Sequence, residues 1–160
     1  MTIVRCYETN DTQSLRDLAV QNYAEQYGAV DMGDRDDPAQ QAYVSHILQI
    51  QKSGKGIVLV AVQDESLIGF VCLLKPEVTT TDNGSESAYA YMSDLYVVPE
   101  CRKQGAGSLL VRESEARARE MGATRIVLRV AADNEEVRRF YSRAEYQEKF
   151  VVMSKTVGES

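Results

Sequence analysis

The chain has 160 residues, 44% of them hydrophobic and 26% charged, with 18 Lys and Arg against 24 Asp and Glu for a net charge of −6. That is the length and composition of one ordinary globular domain, so residues 1–160 are read as a single domain. The lone histidine, His46, excludes an HExxH zinc site and leaves Ser-His-Asp or Cys-His chemistry only through that residue.

Acidity without tryptophan argues against a general nucleic-acid partner, which would need net positive charge. Cys6, Cys72 and Cys101 are odd in number and form no CxxC pair, which suits buried thiols in a reducing compartment. The N-terminus carries no apolar signal core. The longest apolar runs, 57–62 and 70–74, fall far short of the roughly 20 residues that span a bilayer. A cytoplasmic protein with no membrane partner is expected. The charge is uneven: residues 1–100 hold six basic and fifteen acidic side chains, a net of −9, and residues 101–160 hold twelve and nine, a net of +3. The sign change suggests two surfaces for oppositely charged ligands, or charge scattered over solvated faces.

In chain order, residues 3–7 read as a strand. Asn10 or Asp11 can cap a helix whose apolar face is Leu15, Leu18, Ala19, Tyr23 and Tyr27, stopping at Gly28. Residues 30–37 read as a loop with four aspartates, Asp31, Asp34, Asp36 and Asp37. Pro38 opens a second helix with a face of Tyr43, Val44, Ile47 and Leu48, on which His46 is taken as structural. Residues 57–62 and 67–74 form a hairpin, 79–87 a polar loop with Asp82-Asn83-Gly84 as its turn, and 88–98 a strand ended by Pro99. A helix over 105–121 carries Glu113–Arg117 and Glu115–Arg119 as expected ion pairs. A strand over 125–130, a short helix capped by Asp133 or Asn134, and a last strand over 147–157 complete a β-α-α-β-β-β-α-β-α-β order, an α/β mixture.

The segment Leu95 to Ser108 carries the chemistry. A strand ends at Pro99, a basic loop follows with Arg102 and Lys103, and then Gly105 and Gly107 open a helix. Free N–H groups at such a start, with the helix dipole, make an anion site. The spacing is neither Walker A nor GxGxxG, since Leu110 stands where the third glycine would be.

Arg102-x-x-Gly105-x-Gly107 after Leu95-x-Val97-x-Pro99 resembles motif A of the GNAT superfamily of acyl-CoA-dependent N-acetyltransferases. Asn134 followed by Tyr141 on a short helix resembles its motif B. The resemblance implies an α/β (α+β) fold with a mixed, mostly antiparallel central sheet, splayed between strands 4 and 5 and flanked by about four helices. It implies acetyl-CoA as cosubstrate and no metal. The N–H groups of Lys103, Gln104, Gly105, Ala106, Gly107 and Ser108 would hold the CoA pyrophosphate beside Arg102. Leu95, Tyr96 and Val97 would lie at the splay and pair with the pantetheine arm, the Val97 N–H facing the acetyl carbonyl. Asn134 would bind near the pantetheine, and Tyr141 would be the general acid for the departing thiolate.

Two departures stand out. Glu145-Tyr146 occupies the place of a common Gly-Phe pair. Arg129 lies near where peptide N-terminal acetyltransferases often carry Glu, which argues against a protein N-terminus as acceptor. A primary amine must lose a proton before it attacks. Asp94 can take it, or Tyr91 and Ser93, on the opposite face by alternation, can order a water that does. Residues 91–97 resemble the same strand of GNAT-type aminoglycoside 3-N-acetyltransferases and diamine acetyltransferases. The expected acceptor is therefore a small, cationic amine drawn by the four aspartates. A lysine or peptide acetyltransferase and a non-catalytic acyl-CoA-binding module are the alternatives. A homodimer is expected from the habit of relatives.

Overall fold

In the computed structural model, which describes residues 1–27, 37–80 and 82–158, the elements follow as β1 (Thr2–Cys6), α1 (Thr12–Tyr27), α2 (Pro38–Gln49), β2 (Gly56–Gln63), β3 (Ser66–Thr80), β4 (Glu86–Val97), α3 (Ala106–Glu120), β5 (Arg125–Val127) and α4 (Glu135–Arg143). The strands make one sheet in sequence order, antiparallel except for the parallel β4–β5 pair. The mixed α/β class read from the sequence is the class observed. Two compact units divide the chain, Met1–Leu128 and Arg129–Ser160.

The first unit holds the sheet and three helices. β2 and the first half of β3 are apolar on both faces because both are covered: Val58, Leu59, Val60, Phe70, Val71, Cys72 and Leu73 are each at most 1% exposed. Each such aliphatic or aromatic side chain contributes about 1.5–3 kcal/mol of burial free energy. Gly69 lies opposite Val97, and a Cβ there would stand 2.6 Å from the Tyr96 carbonyl. Only glycine lets β3 approach β4 this closely.

α1 begins after a short 3-10 turn, Thr9–Asp11, rather than at Asn10 or Asp11. Asp11 accepts from the Glu8 N–H and from Arg5 at 2.7 and 2.9 Å. The Arg5 hydrogen bonds hold its carboxyl below the ordinary range. The buried face of α1 is Leu15, Leu18, Ala19 and Asn22, whereas Tyr27 is 66% exposed. Asn22 takes the next position on the core-facing stripe, and Tyr27 has rotated past it. Asp37 caps α2 by accepting from the Ala39 N–H, with Pro38 at the first helical position. His46 is exposed rather than on the apolar face, because Val44 and Ile47 turn inward and the two residues between them, Ser45 and His46, point away. Gly28 and Asp31, Asp34 and Asp36 lie outside the described residues.

Three further expectations are corrected. Residues 79–87 are strand at both ends: Thr79 pairs with Ser87 and Thr80 with Glu86, and Asp82-Asn83-Gly84 makes the turn between them as expected, Gly84 at φ +82°. The hairpin ladder satisfies backbone groups that a loop would leave to water. The α3 pairs Glu113–Arg117 and Glu115–Arg119 are absent from the ion pairs of the described residues. Half-exposed pairs on a helix gain too little to fix two long side chains. Finally, β5 stops at Val127, and residues 146–157 form no strand. Phe150, Val151 and Met153 are more than 80% exposed. β-propensity alone cannot make a strand without a partner ladder.

In the second unit Asn134 caps α4 by accepting from the Val137 N–H at 3.2 Å. The helix ends with the Glu145 N–H donating to Ser142 and the Tyr146 N–H to Tyr141. That double closure requires a left-handed residue after the cap, and Glu145 supplies it at φ +69°. The Gly-to-Glu departure therefore leaves the turn intact. Since Glu145 is exposed and makes no ion pair among the described residues, Glu145→Gly should stabilise the protein by about 1 kcal/mol. Thermal melts of the two proteins check this: a rise of a few degrees is expected.

Candidate active site

β4 is the strand on which the site is built. Its pairing with β5 covers only Tyr89, Ala90 and Tyr91, matched to Arg125, Ile126 and Val127. Two residues further on, Ser93 is the extra residue of a bulge, since Asp94 faces Cys72 and Met92 faces Leu73. A bulge bends and twists its strand, and the ladder to β5 stops two residues before it. From Asp94 to Val97 β4 keeps β3 on one side and has no strand partner on the other among the described residues. The Val98 N–H donates to Ile68. Alternation along an antiparallel strand then turns the N–H groups of Val97 and Leu95 to the open edge. The bulge also breaks the period of two, so Tyr91 cannot be set opposite Asp94 by counting. Tyr91 lines a groove with Tyr89, Leu74 and Val127, and the Ser93 hydroxyl is buried near the Cys72 thiol.

The chain leaves β4 through Pro99 and a 3-10 turn ending at Cys101 and enters α3. Lys103 and Gly105 stand at positive φ, +62° and +95°. The first backbone bond into the helix is Leu109 N–H to the Gly105 carbonyl. The N–H groups of Ala106, Gly107 and Ser108 precede it with no carbonyl partner among the described residues, and no side chain caps them. Unsatisfied donors at the positive end of a fifteen-residue helix suit an anion with several oxygens. A Cβ at Gly105 would meet nothing within 4 Å, so glycine is required there by its dihedral and not by space.

Arg102 is turned back onto β4. Its Nε donates to the Val97 carbonyl at 2.8 Å, its guanidinium lies 5.4 Å from the Tyr96 ring centre, and its second nitrogen meets Glu25 of α1 at 2.7 Å. Arg102 thus marks the open end of the strand edge, while Lys103 is exposed beside the helix start.

Asp94 and Tyr96, two apart, both look onto α1 and α2. Tyr96 is 5% exposed and donates to Gln21 at 3.3 Å. Asp94 Oδ1 accepts from the Tyr43 hydroxyl at 2.8 Å, Tyr43 accepts from Asn22 Nδ2 at 2.6 Å, and Asn22 Oδ1 accepts from Gln26 Nε2 at 3.1 Å. Burial, and then the Asp94 charge, push the Tyr43 phenol up; the same two causes push up the fully buried Cys72 thiol. Asn22, Gln26, Tyr43 and Glu25 were not among the site residues expected from sequence. The available signal was Asn22, a polar residue three and four places after Ala19 and Leu18 on the apolar stripe.

Asn134 and Tyr141 belong to the second unit. The Asn134 carbonyl oxygen is used as the α4 cap, leaving its amide nitrogen to donate. Tyr141 is 9% exposed and packs edge-on against Phe140 and Tyr146, with ring centres at 5.0 and 5.5 Å. Burial, and then Tyr146, push its phenol up. No cluster of metal-ligating side chains and no helix long and apolar enough to cross a membrane occurs among the described residues.

Comparison with known proteins gives the family and the fold. Residues 13–146 match the model of the acetyltransferase (GNAT) family. An uncharacterized N-acetyltransferase, YhfO of Bacillus subtilis (strain 168), is 29% identical over 94 residues, covering 59% of this chain and 60% of that protein's length. A transcriptional regulator from Bacillus halodurans C-125 superposes with a TM-score of 0.76 at 20% identity over 98% of this chain and 99% of its own. The aminoglycoside N-acetyltransferase AAC(6')-Iy, solved in complex with the bisubstrate analog CoA-S-monomethyl-acetylneamine, superposes with a TM-score of 0.73 at 16% identity over 98% of each chain. At these identities the two structures establish a shared fold.

Proposed function

The chain belongs to the acetyltransferase (GNAT) family, and from that premise we propose that it transfers an acetyl group from acetyl-CoA to a primary amine of a small polycation. The observation that carries this reading is the open β4 edge running from Asp94 to Val97 into the unsatisfied amides at the start of α3. A strand edge recognises an extended, amide-bearing arm, and the amides of Ala106, Gly107 and Ser108 suit a pyrophosphate. Acetyl-CoA, when bound, supplies an electrophilic thioester carbon. The Val97 N–H, on the open side, offers a donor where the acetyl oxygen gains negative charge. Asp94 Oδ2 accepts no hydrogen bond among the described residues and takes the proton of the acceptor ammonium. Tyr141 holds its proton and gives a hydrogen bond to the leaving sulfur.

The net charge of −9 over residues 1–100 suits a cationic acceptor, and the bisubstrate analog bound by the aminoglycoside N-acetyltransferase AAC(6')-Iy supports it by analogy of fold. Of the four aspartates first assigned to attract the acceptor, only Asp37 is described, and it caps α2. The test is a panel of amines with acetyl-CoA, read as free thiol, covering polyamines, aminoglycosides and lysine peptides, beside calorimetric titration with CoA. Binding of CoA and thiol release with polyamines or aminoglycosides is expected. CoA binding without thiol release from any amine would make the protein a non-catalytic binding module. Release with lysine peptides alone would move the acceptor class to protein.

A further inference from the structure

Resting on the reading of Asp94 as the base, we infer that Tyr43 is a positioning residue that aims the Asp94 carboxylate, and that Asn22 and Gln26 hold Tyr43 in turn. Hydrogen-bond chemistry fixes the direction of the chain. A carboxylate can only accept, so the single Tyr43 proton goes to Asp94 Oδ1 at 2.8 Å. The Tyr43 oxygen must then accept from Asn22, which sets the amide with Nδ2 toward Tyr43 at 2.6 Å and its carbonyl toward Gln26 Nε2 at 3.1 Å. Every bond in the series therefore points the same way, and aligned hydrogen bonds strengthen one another.

The chain orients and does not carry a proton. It ends in two amides, neither of which can take one. Moving the Tyr43 proton onward would put a phenolate beside a carboxylate in a buried place, and burial together with Asp94 already opposes its loss. What remains is geometry. Asp94 sits immediately after the bulge at Ser93, where the backbone alone sets side-chain direction poorly. Tyr43 supplies the missing constraint from α2, and its ring is itself fixed by Tyr23 of α1 at 5.5 Å. With Oδ1 engaged, Oδ2 is left for the acceptor ammonium. Cys72, across β3, is the other titratable group against Asp94.

The test is a double-mutant cycle on the full chain, with the best amine from the panel. Tyr43→Phe keeps the ring and removes the donor. It should lower kcat roughly 10- to 100-fold, as loss of orientation does, with the KM for acetyl-CoA unchanged. Added to Asp94→Asn it should lower kcat no further, because the group it aims is gone. Additive losses, or no loss from Tyr43→Phe alone while Asp94→Asn is crippled, would overturn the inference and leave Asp94 as base. An unaffected Asp94→Asn would instead overturn the base assignment itself. If Tyr43→Phe does not fold, Asn22→Ala reads the same series one step back: a smaller kcat loss, again absent in the Asp94→Asn background, is expected, and an unchanged kcat or additive losses would overturn the inference.

Discussion

Replacing Tyr141 with phenylalanine should lower kcat by about 10²- to 10³-fold, the range of a lost general acid, and leave the affinity for CoA nearly unchanged. Phenylalanine keeps the edge-on contacts with Phe140 and Tyr146, so the fold is held constant and only the hydroxyl is removed. Burial pushes the phenol above its ordinary value near 10. It is therefore protonated at every working pH and supplies no limb to the pH–rate profile. A thiol of ordinary pKa, about 8.5, is a weaker base than that phenolate. In the proposed reaction the hydroxyl therefore would give a hydrogen bond to sulfur as charge develops and keep its proton. Stopped-time thiol assays from pH 6 to 9 check this. The expected result is a uniform vertical drop with both limbs unmoved. A variant with wild-type kcat would remove Tyr141 from the chemistry.

The second large effect is at Gly105. Its φ of +95° is closed to L side chains, yet a Cβ would find open space. Gly105→Val therefore clashes with nothing and is strained by about 1–2 kcal/mol in its dihedral. Relief requires the peptide to rotate, which swings the Ala106 and Gly107 N–H groups off their common focus. Hydrogen bonds to a charged group contribute about 1.5–3 kcal/mol each. Losing the aim of two should weaken CoA about 10²-fold or more. Gly84→Val is the control, since it stands at φ +82° in the β3–β4 turn, with the same open space. It should lower the melting temperature equally and leave calorimetric CoA affinity intact. Equal loss of affinity in both variants would mean that the cradle is not where CoA binds.

Arg102 carries a different lesson. Its charge beside a glycine-rich turn reads as part of an anion site, and the tertiary structure spends that charge on Val97, Tyr96 and Glu25. The Glu25 contact is between half-exposed groups, so it competes only weakly with a phosphate.

The order of elements as far as α4, the glycine-rich turn between Pro99 and Ser108, and Asn134 as one of two possible caps of α4 were present in the sequence. Each is set by local chemistry: proline that cannot donate, glycine at positive φ, and a short side chain over free amides. The same locality made β2 and the first half of β3 legible as the apolar runs of a hairpin. The tertiary structure set the end of the β4–β5 ladder at Tyr91 and the bulge at Ser93, ahead of the splay expected at Leu95 to Val97, because both depend on the register between strands. It alone decided that residues 146–157 form no ladder, since a strand's bonds are made by its partner. And it alone joined Gln26, Asn22, Tyr43 and Asp94, which lie on α1, α2 and β4 and share no spacing that a linear pattern could reveal.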